Sequence, residues 1–78
     1  MIYQLTTTDG ATAIQHAAIA AISHSKADVL KGEPYFRVHL NSGKYFCAYF
    51  EGNDACDLLR FWLPDLAAEK FGREVENG

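Results

Sequence analysis

The side chains of this sequence that could do chemistry are two cysteines, three histidines, four tyrosines and ten carboxylates. His16 and His24 stand eight residues apart, about two turns on a helix, whereas a helical pair that grips zinc is separated by one turn. Both are read as surface histidines. The glycines are isolated, at Gly10, Gly32, Gly43, Gly52, Gly72 and Gly78, so neighbouring amides cannot be assembled around a phosphate. Cys47 and His39 are the one nucleophile and base that share a face, on diagonal positions of a hairpin about 7 Å apart. Nothing nearby supplies an orienting acid or an oxyanion donor. The sequence therefore predicts a non-enzymatic protein with no metal and no cofactor. Cys47 and Cys56 have neither a Cys-x-x-Cys spacing nor a secretory context, and both are read as reduced thiols.

Two sets of residues point instead to binding. Tyr35, Tyr45 and Tyr49, beside Arg37 and His39, combine flat rings with cationic donors, which is what stacks unpaired bases. On a continuous C-terminal helix Asp54, Asp57, Asp65 and Glu69 lie along one broad face with Phe61 among them. A large ring ringed by carboxylates suits a protein interface, since the ring offers area to bury and the charges steer a basic partner. The charge distribution agrees: residues 1–50 carry a net +1, residues 51–78 a net −4, and the whole chain −3. An acidic field of that kind repels phosphate backbones and attracts basic surfaces.

The elements that must position these residues follow from local pattern. Ile2–Thr7 is β-favouring and is read as a strand. Thr8-Asp9-Gly10 supplies a turn and an N-cap, and the alanine-rich run from Ala11 to about Ser23 is read as a helix, with Ile14, Ala18, Ala21 and Ile22 on one stripe. Gly32-Glu33-Pro34 reads as a turn, and Ala27–Leu30 has room for a short strand. Tyr35–Leu40 and Lys44–Phe50 flank Asn41-Ser42-Gly43, a hairpin in which Val38 opposes Phe46 and Leu40 opposes Lys44. Phe36, Val38, Leu40, Phe46, Ala48 and Phe50 then form the core face, and Tyr35, Arg37, His39, Tyr45, Cys47 and Tyr49 the other. Asn53 or Asp54 caps a last helix that runs to about Phe71 on an apolar stripe of Ala55, Leu59, Trp62, Leu63 and Leu66. Pro64 imposes a kink or starts a second helix, and Gly72 offers a stop.

The result is one α+β domain over residues 1–72, a small antiparallel sheet of three to four strands with two helices in the order β-α-(β)-β-β-α, and a frayed tail at 73–78. With 78 residues, 49% of them hydrophobic, the chain can build one small core and no more. No apolar run approaches the roughly 20 residues that span a bilayer, and the start MIYQLTTTDG lacks a secretory pattern, so a cytoplasmic location and no membrane contact are expected.

Two resemblances bear on function. Lys44-Tyr45-Phe46-Cys47-Ala48-Tyr49-Phe50 resembles the aromatic strand motif of RNA recognition motif domains, with Tyr45 where that motif has glycine; the likeness implies a single-stranded nucleic-acid binder working through the tyrosine face. In size, acidity and lack of catalytic motifs the chain is similar to small phage-encoded anti-CRISPR inhibitors. That likeness implies a protein that masks a basic nucleic-acid-binding surface of a host protein or nucleoprotein complex, with Asp54, Asp57, Asp65 and Glu69 engaging its lysines and arginines. A small structural or homodimerising subunit is the third reading.

Overall fold

The computed structural model describes residues 1–72, and the tail expected at 73–78 lies outside them. The protein is α+β, with antiparallel strands followed by two helices. Strands β1 (Ile2–Thr7) and β2 (Gly10–Gln15) form a hairpin that pairs Ile2 with Gln15 and Thr7 with Gly10. A single 3-10 turn, His16–Ala18, leads into β3 (Ile19–Ser23), which joins a second sheet. In that sheet β5 (Glu33–Leu40) is central, flanked by β3 and by β6 (Tyr45–Tyr49), and the two-residue β4 (Val29–Leu30) pairs with its first residues. Helices α1 (Asn53–Trp62) and α2 (Pro64–Phe71) close the described chain.

The helix expected over Ala11–Ser23 is therefore two strands and a turn, and the order of elements changes with it: both helices are C-terminal. Alanine favours helix by only a few tenths of a kcal/mol per residue over most others, a preference that long-range pairing outweighs. Within β2 the β-branched residues also follow a period of two. Along β2, Thr12 and Ile14 are half-buried while Ala11, Ala13 and Gln15 are exposed, a strict alternation. Thr8-Asp9-Gly10 is the bend of a hairpin and caps no helix: Thr7 Oγ1 accepts from the Asp9 amide at 3.2 Å, and Gly10 holds φ +118°.

The second hairpin has the expected register, with Val38 opposite Phe46 and the Leu40 amide donating to the Lys44 carbonyl at 2.8 Å. Phe36, Val38 and Ala48 are buried completely or nearly so, and Leu40, Phe46 and Phe50 pack against them. Tyr3 and Leu5 from β1, Ile19 from β3, and Ala55, Leu58, Leu59 and Ala67 from the helices complete the core. Leu58 and Ala67 extend the stripe expected for the helices.

The C-terminal helical run is broken where Pro64 predicts. Leu63 leaves helical geometry at φ −138°, ψ 73°, and Pro64 takes the first position of α2, where its missing amide costs nothing. No side chain caps α1; Gly52 occupies the cap position in place of Asn53 or Asp54, and the Asp54 carboxylate is used elsewhere.

Candidate protein-interaction surface

Phe61 sits on α1 one turn after Asp57, so both side chains leave the same side of the helix. Phe61 is 67% exposed, more than Tyr45 at 57%. It nevertheless has ring neighbours: it forms an edge-to-face pair with His16, centroids 4.8 Å apart and planes at 82°, and stands 5.7 Å from Trp62. His16 reaches α1 because the 3-10 turn places it there. Its amide donates to the Met1 carbonyl at 2.9 Å, and its Nδ1 shares a 2.8 Å hydrogen bond with the Tyr3 hydroxyl. Met1, Tyr3, His16, Ala17, Asp57 and Phe61 thereby line a hollow of about 480 Å³.

Two carboxylates act on the Tyr3 hydroxyl in the lining of this hollow. Burial, then Asp57, then Asp54 hold the Tyr3 hydroxyl protonated above its ordinary value of 10.0. The folded chain thus keeps a proton that the unfolded chain releases more readily. This contribution to stability is complete below pH 10.0 and is lost as pH rises through the folded value. Tyr3→Phe should flatten the alkaline fall in stability, read as urea midpoints at pH 8 and above pH 10. An unchanged slope would mean that Tyr3 titrates normally. At neutral pH the same variant should lose about 1 kcal/mol with its hydrogen bond to His16.

The expected acidic residues do not form one continuous face, because the break at Leu63 divides them. Asp54 turns toward β1 and accepts the Gln4 amide at 2.8 Å, joining α1 to the N-terminal hairpin. Asp54→Ala should cost about 1–2 kcal/mol, visible as a lowered melting temperature. Asp57 lines the Phe61 hollow and stands 3.7 Å from Arg60, an exposed and solvent-screened pair. Asp65 lines a separate hollow of about 520 Å³ between the end of β3 and the α1–α2 junction, with Ile22, His24, Trp62 and Leu66 among its other walls. Glu69 is exposed on α2.

The tyrosines on the other face of the second sheet are also unlike one another. Tyr35 is 9% exposed; the Arg37 guanidinium lies 5.4 Å from its ring centre, donates to its hydroxyl at 3.1 Å, and pairs with Asp28 at 2.8 Å. Tyr49 is half-buried, its hydroxyl 3.4 Å from the Leu30 carbonyl. Tyr45, at 57%, is the exposed ring of the three and stacks 5.6 Å from His39. The His39 Nε2 is occupied by the Ser23 hydroxyl at 2.8 Å, so it is Ser23 rather than Cys47 that His39 holds. Cys47 and Cys56 are both free thiols.

His16, Tyr3 and Ala17 were not legible as site residues. Their meeting with Phe61 depends on a turn that no spacing in the sequence announces, and the alternation of Tyr3 with Leu5 marks them only as inward-facing. Among the described residues no group of three His, Cys, Asp or Glu side chains could hold a metal ion, and no helix is long and apolar enough to cross a membrane. No protein-family model, curated protein or solved structure matches this chain.

Proposed function

We propose that the protein is a non-enzymatic binding module that docks the outer side of α1 onto a basic protein surface and masks it. The observation that carries this reading is Phe61, exposed while in ring contact with His16 and Trp62, with the Asp57 carboxylate one turn away. A preset aromatic ring loses little conformational freedom on burial, and a neighbouring charge sets the sign of the partner. Asp65 and Glu69 extend the acidic field along α2. Where the masked surface is one that grips nucleic acid, the outcome is inhibition, and a host defence nucleoprotein complex is the finer form of the proposal. The tyrosine face supports direct nucleic-acid binding less well, since Arg37 is neutralised by Asp28 and covers Tyr35.

The test begins with partners identified by mass spectrometry after crosslinking in host extract and then purified. Titration should give an affinity that falls steeply between 50 and 300 mM salt, on the order expected for several exposed charges. The protein should also displace labelled nucleic acid from the partner. Salt-independent binding, or binding that leaves the nucleic acid in place, would refute the masking role.

A further inference from the structure

We infer that the hollow between Phe61, His16 and Asp57 seats an arginine side chain of the partner. This rests on the binding role proposed above and names what that surface recognises. At about 480 Å³ the hollow is in the range of small-ligand sites, which run from roughly 300 to 1,000 Å³. Most of its lining is rings and aliphatic groups: Phe61 and His16, set nearly perpendicular, with Tyr3, Met1 and Ala17. Among the described residues its acidic lining group is Asp57. An aromatic face attracts a cation, a carboxylate attracts it further, and the apolar remainder accepts a methylene stem.

Arginine fits this combination better than lysine. The planar guanidinium is weakly hydrated, lies flat on a ring and forks onto a carboxylate, whereas the ammonium of lysine is compact and strongly hydrated. The negative field felt by Tyr3 from Asp57 and Asp54 acts in the same sense. Arg60 stands 3.7 Å from Asp57, with its side chain 43% exposed and that of Asp57 61% exposed, a spacing long enough for an entering guanidinium to compete for the carboxylate. The groove is also pre-shaped. The Tyr3–His16 hydrogen bond and the bond from the His16 amide to the Met1 carbonyl tie three of its lining residues together before anything enters.

The probe is a capped pentapeptide with a central arginine among glycines and serines, alongside the same peptide with lysine or glutamine at the centre. Each is titrated into isotope-labelled protein at 50 mM salt. The arginine peptide should give saturable shifts at the Ala17 methyl and at the Phe61 and His16 ring resonances. The lysine peptide should bind several-fold more weakly, and the glutamine peptide should give no saturable response. Asp57→Asn should weaken the arginine peptide about tenfold, and Phe61→Leu about threefold, with melting temperatures unchanged. Equal binding of glutamine or lysine, shifts spread evenly over Asp65 and Glu69, or indifference to Asp57→Asn would overturn the assignment. If the peptides fail while a purified basic partner still depends on Phe61, the surface binds without an arginine seat. If the arginine peptide binds as described but no basic partner is masked, the seat stands and the masking role falls.

Discussion

Replacing Phe36 with alanine should remove about 3–5 kcal/mol of stability, the largest single loss expected in this domain. Phe36 is completely buried in the central strand β5, opposite Ala48 and 5.1 Å from the Phe50 ring. Its neighbours are held by backbone pairing on both sides, from β3 and β6, so they cannot collapse into the space it would leave. A domain of 78 residues has roughly 4–12 kcal/mol in all, at about 0.05–0.15 kcal/mol per residue. The variant should therefore have a urea midpoint lowered by about 2 M or more and a sizeable unfolded population at 37 °C. Phe61→Ala gives the contrast within one residue type. With its ring mostly in water it should lose only about 1 kcal/mol, the order of its contacts with His16 and Trp62. A loss below about 1 kcal/mol at Phe36 would show that β5 does not face the helices.

That contrast was partly legible in the sequence, and the reason is local. Phe36 lies in a run whose alternation and closing Gly43 turn fix which side of the strand it occupies, so core and register could be read from a dozen residues. Pro64 was equally local: a residue without an amide interrupts a helix interior but suits a first turn, so a break just before it could be read from one position. Residues 10–23 failed the same kind of reading because their fate is decided at long range. Ala11, Ala13, Ala17, Ala18, Ala20 and Ala21 suit a helix in isolation, but Gly10–Gln15 pairs with β1 and Ile19–Ser23 with β5, the second partner lying well ahead in the sequence. The candidate site inherits that failure. Asp57 and Phe61 could be placed together from helical spacing alone, whereas His16, Tyr3 and Met1 join them only after residues 16–18 turn the chain from one sheet to the other. Asp65 separated from Asp57 for a geometric reason as well, since a helix that breaks at Leu63 resets the direction in which later side chains point.

Those positions allow the binding role to be tested by comparison among carboxylates of equal charge. Phe61→Ala should weaken a purified basic partner by about 30-fold or more, the effect of truncating an anchor worth at least 2 kcal/mol. Asp57→Lys should weaken it by about tenfold or more, acting on both the association rate and the salt dependence because it reverses a charge beside that anchor. Asp65→Lys makes the same change of charge beside the separate hollow bounded by Trp62 and Leu66. If the partner is held at Phe61, this reversal should cost less than Asp57→Lys and should act on association alone. Equal losses at Asp57, Asp65 and Glu69, with Phe61→Ala silent, would mean that the chain attracts its partner through a diffuse acidic field with no docked ring. The folded-state readout separates this from damage: Phe61 and Asp57 are both largely in water, so all of these variants should melt within a few degrees of the parent. A variant that binds weakly and also melts early would report on the fold and would have to be set aside in favour of Phe61→Leu, which keeps an apolar side chain beside His16 while removing the ring.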